Sequence, residues 1–177
     1  MARGKPAPEL EPEADPAAIA RAIVLRQLTN SPKSRQQLER KLAERHIPED
    51  VAQAVLDRFE EVQLVDDAQF AQMWVRSRAQ TRSLARGALQ RELADKGIGA
   101  DVAEQALAQV SDQDEQDAAE ALVRRKLRPG MSLAERPERD KHVRRLVGML
   151  ARKGYPPGMA FRLVEREINR FLAAADG

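Results

Sequence analysis

The sequence is poor in the residues that most catalytic and metal sites require. It contains no cysteine, which excludes disulfides and thiolate metal ligands, and its two histidines, His46 and His142, have no metal-ligand spacing. It also lacks the glycine-rich phosphate loop, the G-x-S-x-G nucleophile turn and the H-E-x-x-H zinc motif. We therefore predict a protein that is not an enzyme, with no catalytic residues, no metal and no cofactor.

Aromatic residues and long apolar runs are equally scarce. Aromatics make up 3% of the chain, with one tryptophan and one tyrosine, which argues against a base-stacking platform for single-stranded nucleic acid. No run approaches the roughly 18 apolar residues of a membrane span, and the start of the chain lacks the apolar centre of a secretory signal. These absences predict a soluble, cytoplasmic protein with no membrane partner.

One apolar pattern, Leu-x3-Leu-Ala-x3-Ile, occurs three times without gaps. The second copy follows the first by 51 residues and the third follows the second by 57, with tyrosine replacing isoleucine in the last copy. The copies are Leu38, Leu42, Ala43 and Ile47; Leu89, Leu93, Ala94 and Ile98; and Leu146, Leu150, Ala151 and Tyr155. Because this spacing is helical and recurs at a nearly fixed period, we predict an all-α fold of three tandem three-helix, helix-turn-helix-like repeats.

The predicted boundaries follow from the breaks between the copies. Repeat 1 is 16–65, repeat 2 is 66–110, and repeat 3 is 111–172 with a loop insertion at 129–137. We predict that 1–15 is a disordered tail, because it is rich in proline, glutamate and alanine, and that 173–177 is a C-terminal tail. A single copy is of a size at which burial alone gives only marginal stability, so neighbouring repeats should support one another, which favours a monomer.

Several helix ends can be read from the sequence. Ser34 with Gln37 forms a capping-box pattern, Ser83 is the predicted cap of the helix that carries Leu89, and Pro48 suits a first helical position. Gly97 and Gly154 occupy the left-handed position that ends a helix. His46 stands there in repeat 1, and we interpret it as a turn residue rather than a ligand.

Trp74, the only tryptophan, follows Phe70 by one helical turn. This spacing predicts a core position, and the alternative is an exposed anchor for a partner.

A three-helix DNA reader carries basic residues on its last helix, which enters the major groove. In this sequence the basic residues are concentrated on the other helices of the repeats. One interpretation is an ordinary solvated surface; the sharper one is a surface that contacts a filament or DNA. The candidate residues for that surface are Arg76, Arg78, Arg82, Arg86, Arg124, Arg125, Lys126, Arg128, Lys141, Arg144, Arg145, Arg152 and Lys153. We expect reversal of Arg124, Arg125 and Lys126 to glutamate to weaken such contacts while leaving the fold intact.

The order of these features resembles the RecX family, regulators of the RecA recombinase, over about 17–172. The resemblance rests on Leu-Val-Asp-Asp-x-x-Phe-Ala from Leu64, on Leu-x-x-Glu-Leu-x-x-Lys-Gly-Ile from Leu89 after Gly87, and on Leu-Ala-x-Lys-Gly-Tyr-Pro from Leu150. The signature residues, which we assign structural roles, are Asp66, Asp67, Phe70, Leu89, Leu93, Gly97, Ile98, Leu150, Gly154 and Tyr155. His46 departs from the family's more usual glycine, which should affect a turn rather than activity.

The resemblance implies about nine helices in an elongated, curved array. It also implies a protein that binds RecA in the groove of the RecA–DNA filament and restrains ATP hydrolysis, strand exchange and co-protease activity in homologous recombination, DNA repair and the SOS response. Weak non-specific contact with DNA would accompany this binding. Two alternatives stay open on the residues alone: a stand-alone DNA-binding module, such as a transcription factor, and a helical scaffold for another partner.

Overall fold

The computed structural model describes residues 15–175, and within this range the chain is all-α, as predicted, with nine helices and no strand. The helices are α1 Pro16–Asn30, α2 Arg35–Glu44, α3 Glu49–Glu61, α4 Asp67–Arg82, α5 Arg86–Asp95, α6 Ala100–Leu107, α7 Asp112–Arg124, α8 Arg136–Arg152 and α9 Pro157–Ala175. The predicted tails lie outside the described residues, except that Asp15 caps α1 and 173–175 continue α9.

Each run of three consecutive helices encloses its own apolar cluster. The second leucine of the repeated pattern has no exposed surface in any of the three copies, at Leu42, Leu93 and Leu150. Burial of one leucine side chain contributes about 2 kcal/mol, so these positions anchor three similar cores. Repetition of the pattern in sequence thus corresponds to repetition of the core.

The described residues divide into two compact units, one ending at Asp66 and the other beginning at Asp67. The first unit contains α1 to α3, and the second contains α4 to α9 with two of the apolar clusters. The division of the chain into three domains and the elongated, curved arrangement stay predictions.

Two predicted helix-terminal features are present in the structure. The Ser34 hydroxyl accepts from the Gln37 backbone N–H, and the Gln37 side chain accepts from the Ser34 N–H at 3.1 Å, completing a capping box. The left-handed turn recurs after α2, α5 and α8, with φ of 57° at His46, 76° at Gly97 and 91° at Gly154. His46 is therefore a turn residue, and its side chain is exposed.

Three sequence-based boundaries were wrong. Ser83 does not cap α5, since the helix begins at Arg86 with Ala85 before it, and Ser83 itself adopts a left-handed φ of 50°. Pro48 precedes the first helical residue of α3. The loop of repeat 3 that carries the predicted insertion spans 125–135 rather than 129–137, because α8 begins at Arg136, and the buried Leu133 (1% exposed) packs this loop onto the core.

None of the helices in the described range is both long and apolar enough to cross a lipid bilayer. Among the same residues, no group of three or more histidine, aspartate or glutamate side chains is arranged to hold a metal ion.

Candidate nucleic-acid interface

The N-terminus of α5 receives its cap from another repeat. Ala85 cannot cap the helix, and the Glu115 carboxylate on α7 accepts the Arg86 backbone N–H at 2.6 Å instead. Glu115 is 6% exposed, and its other oxygen accepts from the Arg86 guanidinium at 3.1 Å. Asp112 also pairs with this guanidinium, and the hydrogen bonds to Glu115 and Asp112 raise the Arg86 pKa. Arg86, predicted as a contact residue, therefore joins repeats 2 and 3.

The same helix end packs backbone to backbone against the turn after α8. The Ala85 N–H donates to the Lys153 carbonyl at 2.9 Å, so the N-terminal end of α5 meets the C-terminal end of α8. A Cβ at Gly87 would lie 2.7 Å from the Gly154 carbonyl oxygen, and a Cβ at Gly154 would lie 2.2 Å from the Ala88 nitrogen. This approach therefore requires glycine on both sides.

Two side chains of repeat 3 reach across to the segment before α5. The Tyr155 hydroxyl donates to the Ser83 carbonyl at 2.9 Å, and the Lys153 ammonium donates to the Arg82 carbonyl at 2.6 Å. Burial, together with the negative charge of Glu115, raises the pKa of Tyr155 to about 12. The Lys153 ammonium therefore has a hydrogen-bond acceptor at the junction between repeats 2 and 3.

Arg124 is also a structural residue. Its Nε donates to Glu167 at 2.7 Å, and its Nη2 donates to Glu120 at 2.8 Å. The Glu167 side chain is 1% exposed, and its hydrogen bond with Arg124 is the main reason that the Arg124 pKa is raised. These ion pairs argue against the expectation that Arg124 can be reversed together with Arg125 and Lys126 without effect on the fold.

Trp74 lies at the edge of the repeat 2 core, partly buried, rather than fully inside it. Its ring stacks on Phe70 with centroids 5.7 Å apart, and its indole N–H donates to Glu92 at 2.8 Å. The Arg78 guanidinium and the Lys96 ammonium approach the ring centroid at 4.3 Å and 4.0 Å. Arg78 therefore contacts the Trp74 ring rather than projecting freely into solvent.

The remaining candidate basic residues differ in whether they form an ion pair. Lys141 pairs with Glu138 at 2.6 Å. Eight others are exposed and form no ion pair within residues 15–175: Arg76, Arg82, Arg125, Lys126, Arg128, Arg144, Arg145 and Arg152.

Three of these eight line one concavity on repeat 3. Lys126, from the segment after α7, faces Arg145 and Arg152 of α8 across an open space of about 370 Å³, with Leu146 and Met149 completing the lining. Because three cations and no carboxylate line this concavity, it is suited to binding a polyanion.

The signature residues have structural positions. Buried apolar members are Phe70, Leu89, Leu93, Ile98, Leu150 and Tyr155. Gly97 and Gly154 form turns, Asp67 is the first residue of α4, and Asp66 precedes it.

Sequence reasoning missed the cap from Glu115 and the pairing of Glu167. The signal for the first was present, because Ala85 stands where the corresponding helix of repeat 1 has Ser34.

Comparison with known proteins identifies the family. Residues 20–59 match the family model described as the first three-helix domain of RecX, and 66–107 match the second. The chain is 51% identical over 159 residues to regulatory protein RecX of Streptomyces coelicolor, covering 90% of this chain and 82% of that one. It is 47% identical over 166 residues to regulatory protein RecX of Thermobifida fusca, covering 94% and 87%.

The fold is also similar to solved structures. The crystal structure of RecX from Lactobacillus salivarius matches with a TM-score of 0.75 at 21% identity, over 87% of this chain and 97% of that chain. A second crystal structure of regulatory protein RecX matches with a TM-score of 0.69 at 25% identity, over 86% and 73%. The 51% identity to a regulatory protein RecX over 90% of the chain, together with the two matched family models, shows that the chain belongs to the RecX family of regulatory proteins.

Proposed function

We propose that this protein binds RecA and occupies the helical groove of the RecA–DNA filament. There it restrains ATP hydrolysis, strand exchange and co-protease activity in DNA repair and the SOS response. The observation that carries the proposal is the 51% identity to a regulatory protein RecX over 90% of the chain. The protein acts by binding rather than by catalysis, and it does so as a monomer of three three-helix domains bounded at 65/66 and 110/111.

The second compact unit supports this role physically. Repeats 2 and 3 are joined by the Glu115 cap and by the contact between Gly87 and Gly154, so they can present one continuous surface to a polymer. The exposed cations of that unit that form no ion pair in the described residues suit contact with DNA phosphates.

The test is the DNA-dependent ATPase of RecA on single-stranded DNA, titrated with this protein. We expect inhibition at amounts matched to the filament or below them, at protein concentrations that leave the DNA unsaturated in RecA's absence. An unrelated DNA-dependent ATPase serves as the control. Equal inhibition of both enzymes would reject the proposal, because competition for DNA would then suffice.

A stand-alone DNA-binding module is the second candidate, and the eight exposed, unpaired cations favour it. Against it, α3 carries a single cation, Arg58, paired with Glu61, and α6 carries none. A helix that reads the major groove beside phosphates should be basic. A sequence-specific footprint would establish this candidate, and binding without sequence preference would count against it.

A further inference from the structure

The part of the chain that forms α8 and the start of α9 has an unusual charge pattern. Between Asp140 and Glu165 there is no acidic residue, although this stretch contains six lysines and arginines. The whole chain, by contrast, is close to charge balance, with a net charge of +2. Positive charge is therefore concentrated locally on repeat 3, and of these six cations one, Lys141, pairs with a carboxylate of the described residues.

Two cations near this stretch are held in ion pairs, whereas the three that line the concavity are not. Arg124 contacts Glu120 and Glu167, and Arg139 donates to Glu165 at 2.6 Å. Lys126, Arg145 and Arg152 form no ion pair within residues 15–175. These three line the same concavity, so their charge lies in a depression rather than on a convex helix face.

The two arginines of the concavity lie far enough apart along α8 to contact different phosphates of a polymer rather than one small anion. Arg145 and Arg152 are seven residues apart on α8, which places them on one face about 10 Å apart along the helix axis. Along the axis of duplex DNA the phosphates of one strand advance by about 3.4 Å each, so about 10 Å of axial length corresponds to about three nucleotide steps.

The lining also determines what the concavity can recognise. Apart from the three cations it offers Leu146 and Met149, with no aromatic ring to stack on a base and no amide to read a base edge. Contacts that these cations make with phosphates would follow the backbone and carry no sequence preference.

We propose that the concavity lined by Lys126, Arg145 and Arg152 is a seat for consecutive phosphodiesters of a nucleic-acid backbone. This inference rests on the proposed function, in which the protein lies against filament DNA. It assigns the DNA contact to repeat 3 and removes Arg78, Arg86, Arg124 and Lys153 from the contact surface, because those residues have structural partners.

The seat is tested by replacing Lys126, Arg145 and Arg152 together with glutamine in the full-length chain. The matched control replaces Arg26, Arg40 and Arg45, three exposed arginines of repeat 1 that form no ion pair in the described residues, so the net charge falls equally. Binding to a fluorescent oligothymidylate is measured by anisotropy at several salt concentrations. Circular dichroism and thermal melting establish that both variants fold.

We expect the seat variant to bind the oligonucleotide about tenfold more weakly or worse. The magnitude of the slope of log K against log salt should decrease by about 2, because each of the three contacts contributes about 0.7 on a single strand. The control should keep the wild-type slope. An unchanged slope in the seat variant, or an equal fall in both variants, would overturn the proposal. Displacement of the oligonucleotide by inorganic phosphate at similar concentration would also overturn it, by indicating a small-anion site.

The RecA ATPase assay keeps the two proposals separable. If wild-type protein does not inhibit RecA, but the slope of log K against log salt decreases in the seat variant alone, the proposed function fails and the seat stands. If wild-type protein inhibits RecA while all three proteins bind the oligonucleotide with the same slope, the seat fails and the proposed function stands.

Discussion

The Glu115 carboxylate accepts the backbone N–H of Arg86 at 2.6 Å, so the α5 helix of repeat 2 is capped by a residue of repeat 3. In repeat 1 the corresponding helix is capped by its own Ser34. An α-helix begins with four N–H groups that lack partners within the helix, and a carboxylate is a strong acceptor at this positively polarised end. Repeat 2 therefore depends on repeat 3 for a bond that repeat 1 makes for itself.

We expect Glu115→Ala to lower the free energy of unfolding of the second unit by about 2 kcal/mol, because it leaves a partly buried N–H without its charged acceptor. Glu115→Gln should cost less, since an amide oxygen can still accept. Urea unfolding followed by the fluorescence of Trp74, the only tryptophan, reports on this unit. A cost for Glu115→Ala no larger than that for Glu115→Gln would contradict a capping role.

The glycines allow steric clash and backbone conformation to be tested separately. Gly154→Ala combines a φ of 91° with a clash against Ala88, while Gly87→Ala introduces only a clash, with the Gly154 carbonyl. We expect Gly154→Ala to be the most destabilising, because a left-handed conformation costs a non-glycine residue about 1–2 kcal/mol and overpacking adds about 1–3 kcal/mol. Urea unfolding of each variant measures the cost.

Two further glycines supply the controls. Gly130 has a φ of 84° with no heavy atom within 4 Å of a Cβ, so Gly130→Ala should show the conformational cost alone. Gly158, in the first turn of α9, would meet only the flexible end of Arg162, so Gly158→Ala should be neutral or stabilising. If Gly87→Ala proved as mild as Gly158→Ala, the close packing of α5 against the turn after α8 would be refuted.

Neighbouring arginines at the end of α7 should behave differently. Arg124→Gln should lower the urea midpoint, because it deprives the nearly buried Glu167 carboxylate of a charged partner. Arg125→Gln should leave the midpoint unchanged, since Arg125 is exposed and forms no ion pair in the described residues. Urea unfolding by circular dichroism makes the comparison, and equal midpoints for the two variants would show that the Arg124–Glu167 pair adds no stability.

Alkaline pH should destabilise the second unit through Tyr155. Burial and the charge of Glu115 raise its folded-state pKa to about 12, above the ordinary value of about 10. The unfolded chain therefore releases the proton first, so the stabilising contribution is present below about pH 10 and is lost as the pH rises towards 12. Because Tyr155 is the only tyrosine, tyrosinate absorbance titrates it directly, and Tyr155→Phe should flatten the alkaline fall in the urea midpoint. Ionisation near pH 10 in the folded protein would contradict its burial.

The amino-acid sequence by itself determined the features that depend on near neighbours. The spacing of Leu89 and Leu93 predicts the buried face of α5, Ser34 and Gln37 predict a capping box, and Gly97 and Gly154 predict left-handed turns. Each of these depends on side-chain and backbone geometry within one or two helical turns, and is therefore visible as a short pattern. The RecX resemblance rests in part on the same leucines and glycines, and the comparisons confirm it.

Only the tertiary structure decided which charged residues are structural and which are free. Arg124 and Arg125 are adjacent and chemically identical, yet one reaches Glu167, 43 residues away, while the other faces solvent. Ser83 fitted the capping pattern, but Glu115, 29 residues after Arg86, provides the cap. Partners this distant are brought together by helix packing, which depends on the whole apolar core and leaves no local signature at the charged residue itself.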